Sequence, residues 1–181
     1  MHKLLAPMIA LVALSLPTAG FAELPVGTKA PMFRTSVALG GKAMRFSLQR
    51  ALRRGPVVLY FYPKAFTQGC TLEAHAFADA ADEFAALGAT VIGMSADDLP
   101  TLQKFSTEAC RSKFAVGVAS PVIIKGYDVA LSRPGMPSGF TDRTSYVIGR
   151  DGIITMVHSD LDYRDHVKLT LAAVRKLATK R

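Results

Sequence analysis

The chain has 181 residues, half of them hydrophobic, and a formal net charge of +8 at neutral pH. That length suits one domain with a proper core. The basic residues, among them Arg50, Arg53 and Arg54 and later Arg175, Lys176, Lys180 and Arg181, are not interleaved with stacking aromatics, so no nucleic-acid partner is expected.

His2 and Lys3 give a short basic start, Leu4 to Leu16 is apolar apart from Pro7 and Ser15, and Gly20 and Ala22 supply small residues before a cut after Ala22. This is a signal-peptide pattern over residues 1–22, too short for a comfortable membrane span. An uncleaved anchor is the alternative. No Cys stands near the cut, which speaks against lipidation. Export, with a periplasmic location and no stable membrane association, is therefore expected. Cleavage would leave a single domain, 23–181, with a charge of about +7 because only Lys3 is lost.

Residues 23–55 read as irregular chain and short strands, with a turn at Gly40-Gly41 and a short helix over 48–53. The continuous apolar, β-rich run 57–62 predicts a strand buried on both faces. A helix is expected over 67–87, with Phe77, Ala80, Ala81, Phe84 and Leu87 at helical spacing and Gly88 as the stop. A second buried strand follows at 89–94. Asp97 or Asp98 then caps a helix running to about Lys113. Residues 116–119 read as a short strand, and Ser120-Pro121 as a cap and first-turn Pro. A Pro- and Gly-rich loop at 132–142 leads to a hairpin, 144–148 and 153–158, around Arg150-Asp151-Gly152. A final helix spans 163 to about 178. Alternating strands and helices that finish in a hairpin and helix predict an α/β sandwich of thioredoxin type.

The chain has two cysteines, Cys70 and Cys110. Composition alone allows a single structural disulfide in an exported protein. Cys70, however, follows a buried strand and opens a helix. There, unpaired backbone N–H groups and the helix dipole favour thiolate over thiol.

The segment Pro63-x-x-x-Thr67-x-x-Cys70 resembles the peroxiredoxins. Phe61-Tyr62-Pro63-Lys64 and Gly69-Cys70-Thr71-x-Glu73-Ala74 resemble their Q-type branch, the bacterioferritin comigratory proteins. So do Val26-Gly27-x-Lys29-Ala30-Pro31-x-Phe33 near the start and Thr141-x-Arg143-x-Ser145-Tyr146-Val147-Ile148 near the end. The resemblance implies a thioredoxin-like, three-layer α/β sandwich with a central mixed sheet flanked by helices. It implies a thiol-dependent peroxidase acting on hydrogen peroxide and organic hydroperoxides through a Cys70 sulfenic acid, with no cofactor and no metal.

Chemistry agrees with the residue types. Peroxide attack by a thiolate needs donors aimed at the oxygens in a dry pocket. The Thr67 hydroxyl, three residues before Cys70, is placed to bond the sulfur and a peroxide oxygen, or simply to cap the helix. Arg143, by the resemblance, is the active-site arginine, a permanent cation for the thiolate. Pro63 contributes shape and water exclusion, and the N–H groups near Gly69 and Cys70 complete the site. Glu73 either holds Arg143 or is an exposed first-turn Glu. Phe66 and Met136 either wall the pocket or pack ordinarily.

The resolving Cys found five residues after the nucleophile in many Q-type relatives is absent, since His75 stands there. Other members carry it on the following helix, where Cys110 falls. The resemblance therefore implies a Cys70–Cys110 intramolecular disulfide, reduced by a thioredoxin-like or glutaredoxin-like donor, in a monomer. Both cysteines are expected on helices, so unwinding must precede bonding. A one-Cys enzyme with an inert Cys110 remains open. Gln68, Ala65 and Ser120 depart from common family residues without removing a catalytic group. A rival from another class is an exported copper-binding thioredoxin-like chaperone using Cys70, His75 and His158. A position five residues past Cys70 is, however, rotated about 140° around a helix.

Overall fold

A computed structural model describes residues 23–131 and 139–179. The proposed signal segment 1–22 and Met136 lie outside the described residues. Strands β1 (Arg34–Leu39) and β2 (Lys42–Ser47) form a hairpin whose turn places Gly40 and Gly41 at φ 55° and 77°, the left-handed region that glycine enters without cost. Helix α1 (Leu48–Arg54) follows, capped by Ser47. Strand β3 (Val57–Phe61) leads into α2 (Gln68–Asp79) and α3 (Ala81–Ala86), and β4 (Thr90–Ser95) into α4 (Leu99–Glu108). Then come β5 (Ala115–Val118), α5 (Pro121–Tyr127), the hairpin β6 (Thr144–Ile148) and β7 (Ile154–Ser159), a 3₁₀ turn (Tyr163–Asp165) and α6 (His166–Ala178).

The seven strands form one mixed sheet in the order β2-β1-β5-β4-β3-β6-β7. β3 pairs parallel with β4 and antiparallel with β6, and β4 pairs parallel with β5. This is the expected three-layer arrangement. Alternation along β3 shows why both of its faces are apolar. Val58 and Tyr60, with Tyr62 just beyond, face a core built with α2, α3, α4 and α6. Val57, Leu59 and Phe61 face another built with α1 and α5. Each fully buried aromatic or aliphatic side chain contributes about 1.5–3 kcal/mol. β4 carries Gly93 where a Cβ would lie 2.7 Å from the Tyr60 ring, so the glycine admits that ring.

Two helices differ from expectation. The segment predicted as one helix over 67–87 breaks at Ala80, whose ψ of −3° lies well off the usual helical value of about −42° although no Gly or Pro stands there. Phe77 and Phe84, one on each side of the break, are both fully buried in the same core. The helix predicted to reach Lys113 ends at Glu108, and Arg111 and Ser112 adopt left-handed φ of 49° and 58°. Cys110 therefore lies in the turn after α4. Asp98 is the cap of α4, accepting from the Thr101 N–H at 2.9 Å.

Candidate active site

The loop from Tyr62 to Thr67 leaves the carboxyl end of β3, the end of a parallel sheet where functional loops gather. It is held from three sides. The Thr141 hydroxyl donates to the Tyr62 carbonyl (2.6 Å), and the Tyr62 N–H donates to the Met94 carbonyl (3.0 Å). Asp97 Oδ2 accepts from both the Ala65 N–H (2.7 Å) and the Ser95 hydroxyl (2.8 Å). Phe66 sits at φ 64°, a conformation costing a non-glycine residue about 1–2 kcal/mol. Its ring is partly exposed and packs edge-on against Phe105 at 5.2 Å. Pro63 is half-buried in this loop and offers no N–H.

Thr67 is the N-cap of α2 by backbone geometry only. Its hydroxyl donates to the Lys64 carbonyl at 3.0 Å. This corrects the expectation for that side chain: it neither caps the helix nor bonds the Cys70 sulfur. The turn from Lys64 to Thr67 supplies a nearer acceptor. With no side chain capping them, the first N–H groups of α2 remain directed at the site, as a helix N-terminus leaves them.

Cys70 is the third residue of α2 and is almost fully buried. Arg143, from the strand-entry segment before β6, places Nη2 at 3.4 Å from its Sγ. The same guanidinium donates through Nη1 to Glu73 Oε2 and through Nε to the Leu161 carbonyl (2.9 Å). One planar fork thus makes three contacts, two to α2 and one to the segment after β7, a role suited to Arg and not to Lys. Gly69 makes the approach possible, since a Cβ there would stand 3.3 Å from Nη2. Burial opposes the Arg143 charge, but the neighbouring Glu73 and Cys70 outweigh it and hold the pKa above the ordinary arginine value.

Glu73 holds Arg143 and is fully buried. Burial pushes its carboxyl up to about 8, against the lowering influence of Arg143. Its second oxygen, Oε1, makes no hydrogen bond among the described residues and lies 3.7 Å from His166 Nδ1. His166 Nε2 faces the Asp160 carbonyl at 2.9 Å. A carbonyl only accepts, so Nε2 carries the hydrogen and Nδ1 accepts from the Ser145 hydroxyl at 2.8 Å. Burial lowers the His166 pKa to about 4, so the ring is neutral at pH 7.

Cys110 is fully buried, and its N–H donates to the Phe105 carbonyl (3.0 Å). Burial pushes its thiol well above the ordinary value. Both cysteines are free thiols and share one apolar cluster with Tyr60, Tyr62, Phe77 and Phe105.

The structure thus gathers Cys70, Arg143, Glu73, Gly69, Pro63 and Phe66 around one loop and helix start, leaves the Thr67 side chain turned aside, and keeps Cys110 in the core. Sequence reasoning missed Asp97 as a loop clamp, seeing only a cap candidate. It also missed His166 and Ser145 behind Glu73. A lone His at a helix start and a Ser on a buried strand carry no local signal of that pairing. His158 rests its ring against His166 at 4.6 Å between centroids. Among the described residues, no three His, Cys, Asp or Glu side chains are grouped to hold a metal ion.

The AhpC/TSA family model matches residues 26–157. A chloroplastic peroxiredoxin Q from Oryza sativa subsp. japonica is 30% identical over 179 residues, spanning 93% of this chain and 81% of the rice protein. Among solved structures, peroxidoxin BcpB from Mycobacterium tuberculosis aligns with a TM-score of 0.74 at 30% identity, covering 84% of this chain and 97% of that one. Peroxiredoxin Q from Xanthomonas campestris aligns with a TM-score of 0.68 at 25% identity, covering 79% and 90%.

Proposed function

The chain belongs to the AhpC/TSA family, on its peroxiredoxin Q and bcp branch, and we propose that it is a thiol-dependent peroxidase whose nucleophile is Cys70. The observation that carries this reading is the buried contact of 3.4 Å between Arg143 Nη2 and Cys70 Sγ, with Glu73 fixing the guanidinium from behind. The thiolate attacks one peroxide oxygen, the S–O bond forms as the O–O bond breaks, and hydroxide or alkoxide leaves. Arg143 and the free N–H groups of the first turn of α2 stabilise the charge that moves onto the departing oxygen. Pro63 and the buried surroundings keep water away from the sulfur.

In the same proposal Cys110 attacks the Cys70 sulfenic sulfur, water leaves, and a two-electron thiol donor of thioredoxin or glutaredoxin type reduces the resulting disulfide. The protein works in an exported setting, as the composition of residues 1–22 supports. A second reading, a one-Cys peroxidase, is favoured by the complete burial of Cys110.

Thiol titration and intact mass after one equivalent of hydrogen peroxide decide between them. Loss of both thiols with a mass decrease of two hydrogens and no dimer supports resolution by Cys110. Gain of one oxygen with one thiol left gives the one-Cys enzyme. Two unreacted thiols would overturn the peroxidase proposal itself.

A further inference from the structure

We propose that Glu73 and His166 together hold one proton while Cys70 is a thiolate, and release it when the sulfur loses its charge. Three observations lead there. First, a single guanidinium serves two acids: Arg143 reaches the Cys70 sulfur with Nη2 and the Glu73 carboxyl with Nη1. With both ionised, this buried group would carry a net negative charge. No second cation is hydrogen-bonded to either acid among the described residues. Low-dielectric surroundings penalise uncompensated charge, and like charges sharing one site do not ionise together.

Second, among the described residues Glu73 uses only one of its oxygens. Oε1 is buried and has no donor among them, which is the position a proton would satisfy. Third, that oxygen faces an acceptor. His166 Nδ1 is a lone pair because Nε2–H is committed to the Asp160 carbonyl, and it stands 3.7 Å from Oε1. A proton on Oε1 donates to Nδ1 after the two close by roughly 1 Å to normal hydrogen-bond length. The Ser145 hydroxyl, which now donates to Nδ1 and rotates freely, gives way. Among the described residues, Arg143, Glu73, the His158 ring, the Ser145 hydroxyl and Asp160, through its carbonyl and its side-chain charge, are the polar groups that face His166. Burial drives the Glu73 carboxyl in the same direction.

The charge balance follows. Thiolate, guanidinium and protonated Glu73 sum to zero. Once the sulfur is neutral, guanidinium and ionised Glu73 sum to zero without the extra proton. On the peroxidase reading, the thiolate forms the S–O bond, the O–O bond breaks, and the stored proton leaves with the hydroxide as water. Glu73 and His166 are positioning and proton-holding groups in this scheme, not groups that touch the peroxide.

The test needs no peroxide, so it stands apart from the peroxidase reading. Reduced protein is alkylated at Cys70 with one equivalent of iodoacetamide, at a pH where ultraviolet thiolate absorbance is complete, and proton release is followed with an indicator dye. Intact mass confirms a single adduct. A bare thiolate releases no proton on alkylation. The expected result is about one proton per Cys70 modified, falling to none in Glu73→Gln. Zero release in the native chain, or undiminished release in Glu73→Gln, overturns the proposal. If Glu73→Gln fails to fold, infrared spectroscopy of the native chain replaces it. A protonated-carboxyl C=O band that disappears on alkylation supports the store, and the absence of such a band refutes it.

Discussion

Asp97 offers the sharpest check on how the loop is held. One carboxylate oxygen accepts the Ala65 N–H at 2.7 Å and the Ser95 hydroxyl at 2.8 Å. Hydrogen bonds to a charged group contribute about 1.5–3 kcal/mol each, and the lower end applies because Asp97 is only half-buried. Asp97→Ala is therefore expected to cost about 3 kcal/mol, a fall in Tm of roughly 6–12 °C for a domain of this size. The loop should also loosen around the sulfur, and a displacement near 1 Å costs up to about 10²-fold in rate. Asp98→Ala is the control. It deletes the exposed cap of α4 and leaves the loop clamps intact, so it should cost clearly less stability and leave the peroxide rate unchanged. Thermal unfolding by circular dichroism and stopped-flow rates with hydrogen peroxide make the comparison. If Asp97→Ala resembles Asp98→Ala in both, the clamp argument is wrong.

Arg143→Lys keeps the charge but cannot serve the Cys70 sulfur, Glu73 and the Leu161 carbonyl together. The peroxide rate constant should fall about 10²–10³-fold, and an unaltered rate would remove Arg143 from the proposed mechanism. Gly69→Ala puts a methyl 3.3 Å from Nη2 while improving helix propensity by up to about 1 kcal/mol, so stability holds or rises as peroxide reactivity drops several-fold; a drop in both by denaturant titration and kinetics would contradict this. His166 has a folded pKa of about 4 against about 6.5 unfolded, so its contribution is complete above pH 6.5 and is lost as pH falls through about 4. Urea unfolding between those limits should therefore show native protein losing about 3 kcal/mol more than His166→Gln. The difference between the two chains isolates His166 from Glu73, whose raised pKa acts in the opposite direction. Equal acid slopes would refute the neutral, buried assignment.

Period and turn chemistry made most of the fold legible. The run 57–62 has no polar face, which only a central strand tolerates, and Ser120-Pro121 capped α5 as expected. The break at Ala80 was not legible, because Ala is the best helix former and Asp79, though a weak one, is no breaker. Phe77 and Phe84 on either side are buried in one core, a tertiary contact that local pattern does not report. The early end of α4 was hidden for a related reason: Arg111 and Ser112 carry no sign of left-handed φ, unlike a glycine. At the site, Cys70 and Arg143 were readable because a specific motif surrounds each. Asp97, Ser145 and His166 act through contacts 32, 21 and 6 residues away along the chain, and no local pattern reports such contacts.

The geometry also says which part of the site must yield if the two thiols are to meet. The loop before α2 is tied by Asp97, by Thr141 and by the packing of Phe66 on Phe105, so moving it forfeits several contacts at once. Cys110 is tied as well, through its N–H to Phe105 and through a side chain enclosed in the apolar core. The first turn of α2 is different. Its cap residue spends its hydroxyl on Lys64 and makes no side-chain cap bond to the leading N–H groups. A helix start without a side-chain cap lacks about 1 kcal/mol of the usual hold and frays first. Arg143 opposes that fraying through its contact with the Cys70 sulfur. On the proposed two-Cys mechanism, the sulfenic acid carries no thiolate charge, so the pull of Arg143 on Cys70 would weaken. Oxidation would then loosen the turn that carries Cys70 at the step where the second thiol has to reach it.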